Sequence, residues 1–229
     1  MRAAIFSNDG DSDPGFVGRY LAEHGFEFLQ YSREYPRGWK PAADTDLVIL
    51  LGSDWSVYWR EIEFEVSAES DFVLSAVRKG IPVLGICFGA QLLSHAFGGK
   101  VSRASQPELG WHSVECSEYP DLFAQTWFQW HYDVFTVPDR FKLVAGNQSC
   151  AQVMLSNRLL AMQFHPEATI EIIKRWCNGP GGTELLRHGI DARRLVESSD
   201  TYLPDAARAT KKLVNWFLDA ANSAEAVGG

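Results

Sequence analysis

Short runs rich in Val, Ile, Leu and Phe alternate with longer amphipathic stretches through the first hundred residues. The short runs at 2–6, 27–31, 47–51 and 83–86 predict strands, because each is too brief for a surface helix and is bounded by polar or glycine residues. Apolar positions at helical spacing predict helices over 16–24 and 61–79, closed by Gly25 and Gly80, and over 88–97, stopped by Gly98-Gly99. Beyond Lys100 the pattern breaks into short alternating stretches such as 141–145 and 151–155, with Asn157-Arg158 as a hairpin turn. Helices return after Glu167. The last is expected over 205–221, behind Pro204, with Leu213, Phe217 and Ala220 on one face. Strands alternating with helices predict an α/β fold with a largely parallel central sheet flanked by helices, and such sheets carry their functional groups at the carboxyl ends of the strands.

Composition narrows the class. A chain of 229 residues, 46% hydrophobic and 13% aromatic, can bury one substantial core, so a single domain is expected over 1–222, with a small-residue tail at 223–229 that frays. A net charge of −8 offers no basic surface, so neither nucleic acid nor an anionic membrane is expected as a partner. Without an apolar run of membrane length or a signal-like start, and with Cys87, Cys116, Cys150 and Cys177 too scattered for a disulfide framework or metal-ligand pairs, the expectation is a cytoplasmic protein with reduced thiols.

The chemistry concentrates at three strand ends. In Ile81-Pro82-Val83-Leu84-Gly85-Ile86-Cys87-Phe88-Gly89-Ala90-Gln91 a cysteine stands between glycines at a strand-to-helix junction. A side chain at such an elbow projects from the sheet beside the free N–H groups and positive end of the helix, a setting that favours a thiolate. A buried structural cysteine is the other reading of this segment alone. Further on, Leu159-Leu160-Ala161-Met162-Gln163-Phe164-His165-Pro166-Glu167 is an apolar run that ends in His-Pro-Glu. Proline cannot continue a ladder, so His165 is expected at the rim of the sheet. A thiol nucleophile needs a base, and the base needs a carboxylate to fix its tautomer; Cys87, His165 and Glu167 supply the set.

The elbow and the His-Pro-Glu, in that order, resemble the class I glutamine amidotransferases, specifically the branch typified by GMP synthetase. The resemblance implies a flavodoxin-like architecture and the catalytic residues Cys87, His165 and Glu167. It also makes Leu47-Val48-Ile49-Leu50-Leu51-Gly52-Ser53-Asp54 similar to the family's strand and oxyanion loop, with the backbone N–H groups of Gly52 and Phe88 as the oxyanion donors. The family commonly has Gly-Gly-Pro where this chain has Gly52-Ser53-Asp54, which leaves the loop's backbone open. Gln91, Trp130, His131 and Tyr132 are implied as substrate contacts, mostly through backbone, although His131 reads equally well as a satisfied core histidine. Pro107-Glu108-Leu109-Gly110-Trp111-His112 also resembles the family and reads as structural, at the edge of the sheet.

The implied reaction is attack of Cys87 on the γ-carbonyl of glutamine or a γ-glutamyl compound, through a thioester, with release of ammonia and glutamate. It needs no metal or organic cofactor. No phosphate-binding loop of the Gly-x-x-x-x-Gly-Lys-Ser/Thr type is present for activating an acceptor with ATP, so a separate synthase subunit is one possible partner besides the small-molecule substrate. A γ-glutamyl hydrolase acting on conjugates, and a non-catalytic protein that uses the same cleft for binding, are the alternatives.

Overall fold

The computed structural model describes residues 1–40 and 45–223. Residues 224–229, nearly all of the expected frayed tail, lie outside the described residues. Nine strands and seven α-helices are present among the described residues: β1 (Arg2–Ser7), α1 (Gly15–Glu23), β2 (Glu27–Ser32), β3 (Leu47–Leu50), α2 (Glu63–Arg78), β4 (Val83–Ile86), α3 (Phe88–Ala96), β5 (Val101–Ser113), α4 (Pro120–Phe123), β6 (Thr126–Phe135), β7 (Lys142–Gly146), β8 (Ala151–Ser156), β9 (Leu159–Met162), α5 (Ile170–Asn178), α6 (Pro180–Arg187) and α7 (Ala192–Ser223). Seven strands form one sheet in the order β2-β1-β3-β4-β9-β8-β7. The first five in that order run parallel, β8 runs antiparallel to β9, and β7 runs antiparallel to β8. This is the predicted α/β architecture.

The two-residue period of the strands sorts the core into two layers. Ile5, Ile49, Ile86 and Met162 point to one face, where Val17 and Leu21 of α1 and Leu213 and Phe217 of α7 cover them. Phe6, Val48, Leu50 and Ala161 point to the other, beneath Val73 and Ala76 of α2 and Leu92 and Leu93 of α3. Sheets buried on both faces read as continuous apolar runs, which is why strands 2–6 and 47–51 were legible.

Two stretches depart from expectation. Residues 101–135 form β5 and β6, a long antiparallel ribbon separate from the main sheet, instead of several short pieces. Its register slips between Arg103 and Glu108, where Pro107 has no N–H to give the ladder. Pro107–His112 therefore lies in this ribbon and not at the edge of the main sheet. At the C-terminus α7 begins at Ala192 and runs straight through Pro204, whereas the sequence suggested a helix starting after it. Pro204 and Asp200, whose carbonyl loses its helical donor, are both exposed, so water can supply the missing bond. Buried Leu195, Ser199, Ala206 and Leu213 hold both halves in place.

Candidate active site

At the carboxyl end of β4 the chain turns directly into α3, and Cys87 occupies the cap position between them. The left-handed backbone angle falls on the cysteine itself, with φ 51° and ψ −107°, and not on the flanking glycines. The glycines serve close approach: a Cβ on Gly89 would stand 2.2 Å from the Leu50 carbonyl oxygen, so only glycine lets α3 sit this tightly on β3. The Cys87 amide donates to the Met162 carbonyl on β9 (2.8 Å) and its carbonyl accepts from Ala90 and Gln91 (3.0 Å each). The Phe88 N–H, in the first turn of α3, has no intrahelical acceptor.

Three residues past β9, the His165 amide donates to the Phe128 carbonyl (2.9 Å) on β6, which turns the imidazole back over the sheet. Its Nδ1 lies 2.7 Å from Glu167 Oε1, and its Nε2 has no protein partner. Cys87, His165 and Glu167 are only 4%, 4% and 3% exposed. Burial alone would push the imidazole toward its neutral form, but the Glu167 carboxylate and the Cys87 thiol raise its pKa well above the ordinary value. The imidazole thus stands between the Glu167 carboxylate and the Cys87 sulfur, and both favour its protonated form.

The surroundings fix that unit. The Glu167 carbonyl accepts from Phe16 (3.0 Å) at the start of α1, where Gly15, with φ +47°, leaves space: a Cβ there would stand 1.9 Å from the Glu167 oxygen. The Pro166 carbonyl accepts from the Thr210 hydroxyl of α7 (2.8 Å). Trp176 of α5 packs edge-on against the His165 ring at 4.8 Å, and its indole N–H donates to Asp11 (2.9 Å) in the loop after β1. Sequence reasoning missed Trp176. Its helix is strongly amphipathic, but nothing in the chain order says which ring it covers.

Gly52 lies above the same point: a Cβ there would stand 3.0 Å from His165 Cε1 and 3.7 Å from Cys87 Cβ. The Ser53 hydroxyl donates to Asn8 (2.6 Å) and accepts from the Trp55 amide (3.0 Å), so the departure from Gly-Gly-Pro is a hydrogen-bonded turn. Gln91 is buried and donates to the Asp133 carbonyl (3.2 Å). The Trp130 carbonyl accepts from the Cys87 thiol at 3.7 Å, and its ring packs against Trp176. Tyr132 lies beneath Arg103, 4.4 Å from ring to guanidinium.

His131 faces elsewhere. Its Nδ1 meets the Asp133 carbonyl (3.0 Å) and its Nε2 meets buried Glu108 (3.1 Å), in a cluster completed by the half-buried Cys150. Asn147 (2.7 Å) and Gln152 (2.8 Å) donate to the Glu108 carboxylate as well, and the Cys150 thiol donates to it at 3.6 Å. Burial and the adjacent carboxylate push the Cys150 thiol up to about 12. Every Glu108 oxygen is already occupied by a protein donor, so the cluster is a closed hydrogen-bond network and not an open ligand cage.

The profile of the family described as "Glutamine amidotransferase class-I" matches residues 18–175. The chain belongs to that family. It is 31% identical over 188 residues to the glutamine-hydrolysing GMP synthase of Bdellovibrio bacteriovorus, a match covering 78% of this chain and 36% of that protein. The corresponding enzyme of Desulfotalea psychrophila is 34% identical over 152 residues, covering 62% and 27%. The chain thus spans about a third of the length of these relatives. Among solved structures, a glutamine amidotransferase from Thermotoga maritima superposes with a TM-score of 0.85 at 27% identity, covering 95% of this chain and 97% of its own. One from Methylobacillus flagellatus reaches 0.77 at 22% identity and supports the fold. Among the described residues no helix is long and apolar enough to cross a membrane.

Proposed function

We propose that this amidotransferase hydrolyses the γ-amide of glutamine through a thioester on Cys87 and passes the ammonia to a separate synthase. One observation carries the reading: His165 Nε2 is buried without a protein partner beside the Cys87 thiol, while Nδ1 is committed to Glu167. Sulfur attacks the γ-carbonyl carbon, and the oxyanion is received by the Gly52 and Phe88 amides. As the C–N bond breaks, His165 gives its proton to the departing nitrogen, which leaves as ammonia. The neutral imidazole then takes a proton from water as it attacks the thioester, and glutamate leaves with Cys87 restored. Glu167 orients the ring and stabilises its charged form. The amino-acid end of the substrate is held by Gln91 and the backbone at Trp130, His131 and Tyr132, which suits the His131 side chain being engaged elsewhere. Four free thiols fit work in a reducing compartment such as the cytoplasm.

A second reading, hydrolysis of γ-glutamyl conjugates, draws on the Trp130–Trp176 pair beside the triad, since aromatic walls suit a bulky leaving group. Purified protein offered glutamine and a panel of γ-glutamyl amines, with glutamate and released amine quantified, separates the two. Turnover of glutamine supports the first, turnover of conjugates alone supports the second, and thioester formation with neither overturns both.

A further inference from the structure

The oxyanion loop is held from below by a fully buried arginine on the turn that follows β2. Arg33 is 0% exposed and forms an ion pair with Glu69 of α2, which is 1% exposed: Nε donates to one carboxylate oxygen (2.8 Å) and Nη2 to the other (3.1 Å). The rest of the fork is spent on the loop. Nη2 donates to the Leu51 carbonyl (2.8 Å), and Nη1 donates to the Gly52 carbonyl (2.9 Å) and to Asn8 Oδ1 (3.3 Å). The guanidinium carbon also sits 4.7 Å from the centre of the Phe88 ring. One side chain therefore touches both residues whose amides are assigned to the oxyanion.

We infer that Arg33 is a positioning residue for the oxyanion hole, acting through the Leu51–Gly52 and Gly52–Ser53 peptides and through Phe88. In a trans peptide the carbonyl and the next N–H point in opposite directions, so pinning the Leu51 oxygen toward Arg33 turns the Gly52 N–H away from it. Gly52 itself stands against the site, since a Cβ there would lie 3.0 Å from His165 Cε1 and 3.7 Å from Cys87 Cβ. Pinning the Gly52 oxygen as well stops the next peptide from flipping, a motion that glycine would otherwise allow at little cost. Donors fixed before the reaction need no reorganisation when charge develops, which is what makes an oxyanion hole effective. The fork also explains why this chain can dispense with Gly-Gly-Pro: side-chain bonds from Arg33, Asn8 and Ser53 supply the rigidity that a proline would give.

This inference rests on the reading of Cys87 as a thioester-forming nucleophile, and the test keeps the two apart. Two rates are measured at Cys87 in the full chain: single-turnover thioester formation with the best substrate, and alkylation by iodoacetamide. Alkylation is displacement at a saturated carbon, generates no oxyanion, and reports the thiolate and its accessibility. Arg33→Lys keeps a charge opposite Glu69 but loses the planar fork. It is expected to slow thioester formation about a hundredfold, the loss typical of one misplaced oxyanion donor, with KM and alkylation each within about threefold of wild type. Arg33→Met/Glu69→Leu, which removes both buried charges together, should show the same split if Arg33→Lys does not fold. Thioester formation within about threefold of wild type in a folded variant overturns the inference. So does a parallel loss of both rates, or failure of both variants to fold, since either makes Arg33 a general structural residue. Wild-type protein that alkylates at Cys87 but forms no thioester overturns the functional reading instead.

Discussion

Among the described residues two sets of cysteine, histidine and glutamate stand together, and they are chemically opposite. In the first, Cys87, His165 and Glu167 meet at strand ends; His165 Nε2 is left without a protein partner and the Glu167 carboxylate and Cys87 sulfur raise the imidazole pKa well above its ordinary value. In the second, Cys150, His131 and Glu108 lie within 4.8 Å of one another by their ligand atoms, yet both histidine nitrogens are engaged and the thiol is pushed up to about 12. Residue type and proximity are shared. What differs is unspent hydrogen-bonding capacity and backbone setting: the first cysteine caps a helix, while the second hands its proton toward a carboxylate that is already saturated. Reactivity follows from what the scaffold leaves unsatisfied.

Substitution of the two cysteines gives the largest contrast. Cys87→Ser is expected to lower glutamate release by at least about ten-thousandfold, as loss of a nucleophile does in comparable triads, whereas Cys150→Ser should stay within about threefold. Comparable losses from both would erase the distinction. Next in size is Glu167→Gln, expected to reduce the rate on the order of a hundred- to ten-thousandfold while leaving residual turnover. Because the Glu167 carboxylate raises the His165 pKa, its removal should also move the alkaline limb of the kcat/KM profile to lower pH; a limb that stays in place would show that Glu167 does not charge the ring.

The second cluster should register in stability. Burial raises the Glu108 carboxyl, but hydrogen bonds and charge from His131, with help from His112 and Asn147, outweigh it and hold the group below its ordinary value. A depressed folded-state pKa contributes stability above the unfolded value and loses it as pH falls through the folded one. Glu108→Gln is therefore expected to cost about 1–3 kcal/mol near neutrality, and denaturant melts should show that difference shrinking as the wild type is acidified through the carboxylate range. A gap that widens in acid would reverse the assignment.

How far these regions were legible in the sequence follows from the range of the forces that build them. The strands at 2–6, 47–51 and 83–86 announced themselves because both of their faces are buried, and the elbow and His-Pro-Glu because glycine and proline leave local marks. Pro204 misled because a local rule was overridden by tertiary packing along α7. The function of Arg33 could not be read, since a lone arginine after a strand looks like surface until Glu69, Leu51 and Gly52 are seen around it. Likewise the sequence left His131 open between substrate contact and core residue; only the partners of its two nitrogens show how its side chain is used.

The cysteine's own backbone carries a cost that can be weighed. At φ 51° and ψ −107° a residue with a Cβ is strained by about 1–3 kcal/mol, and the surrounding elbow must hold it there. Glycine ordinarily destabilises a structured position by roughly 0.5–1 kcal/mol relative to alanine, yet here it alone relaxes the turn. Cys87→Gly should therefore melt at or above the temperature of Cys87→Ala, an inversion of the usual order measurable by calorimetry. Alanine as the more stable of the two would mean that the elbow bears no such load. On this account the strain at the elbow serves the placement of the Cys87 side chain and not the packing around it.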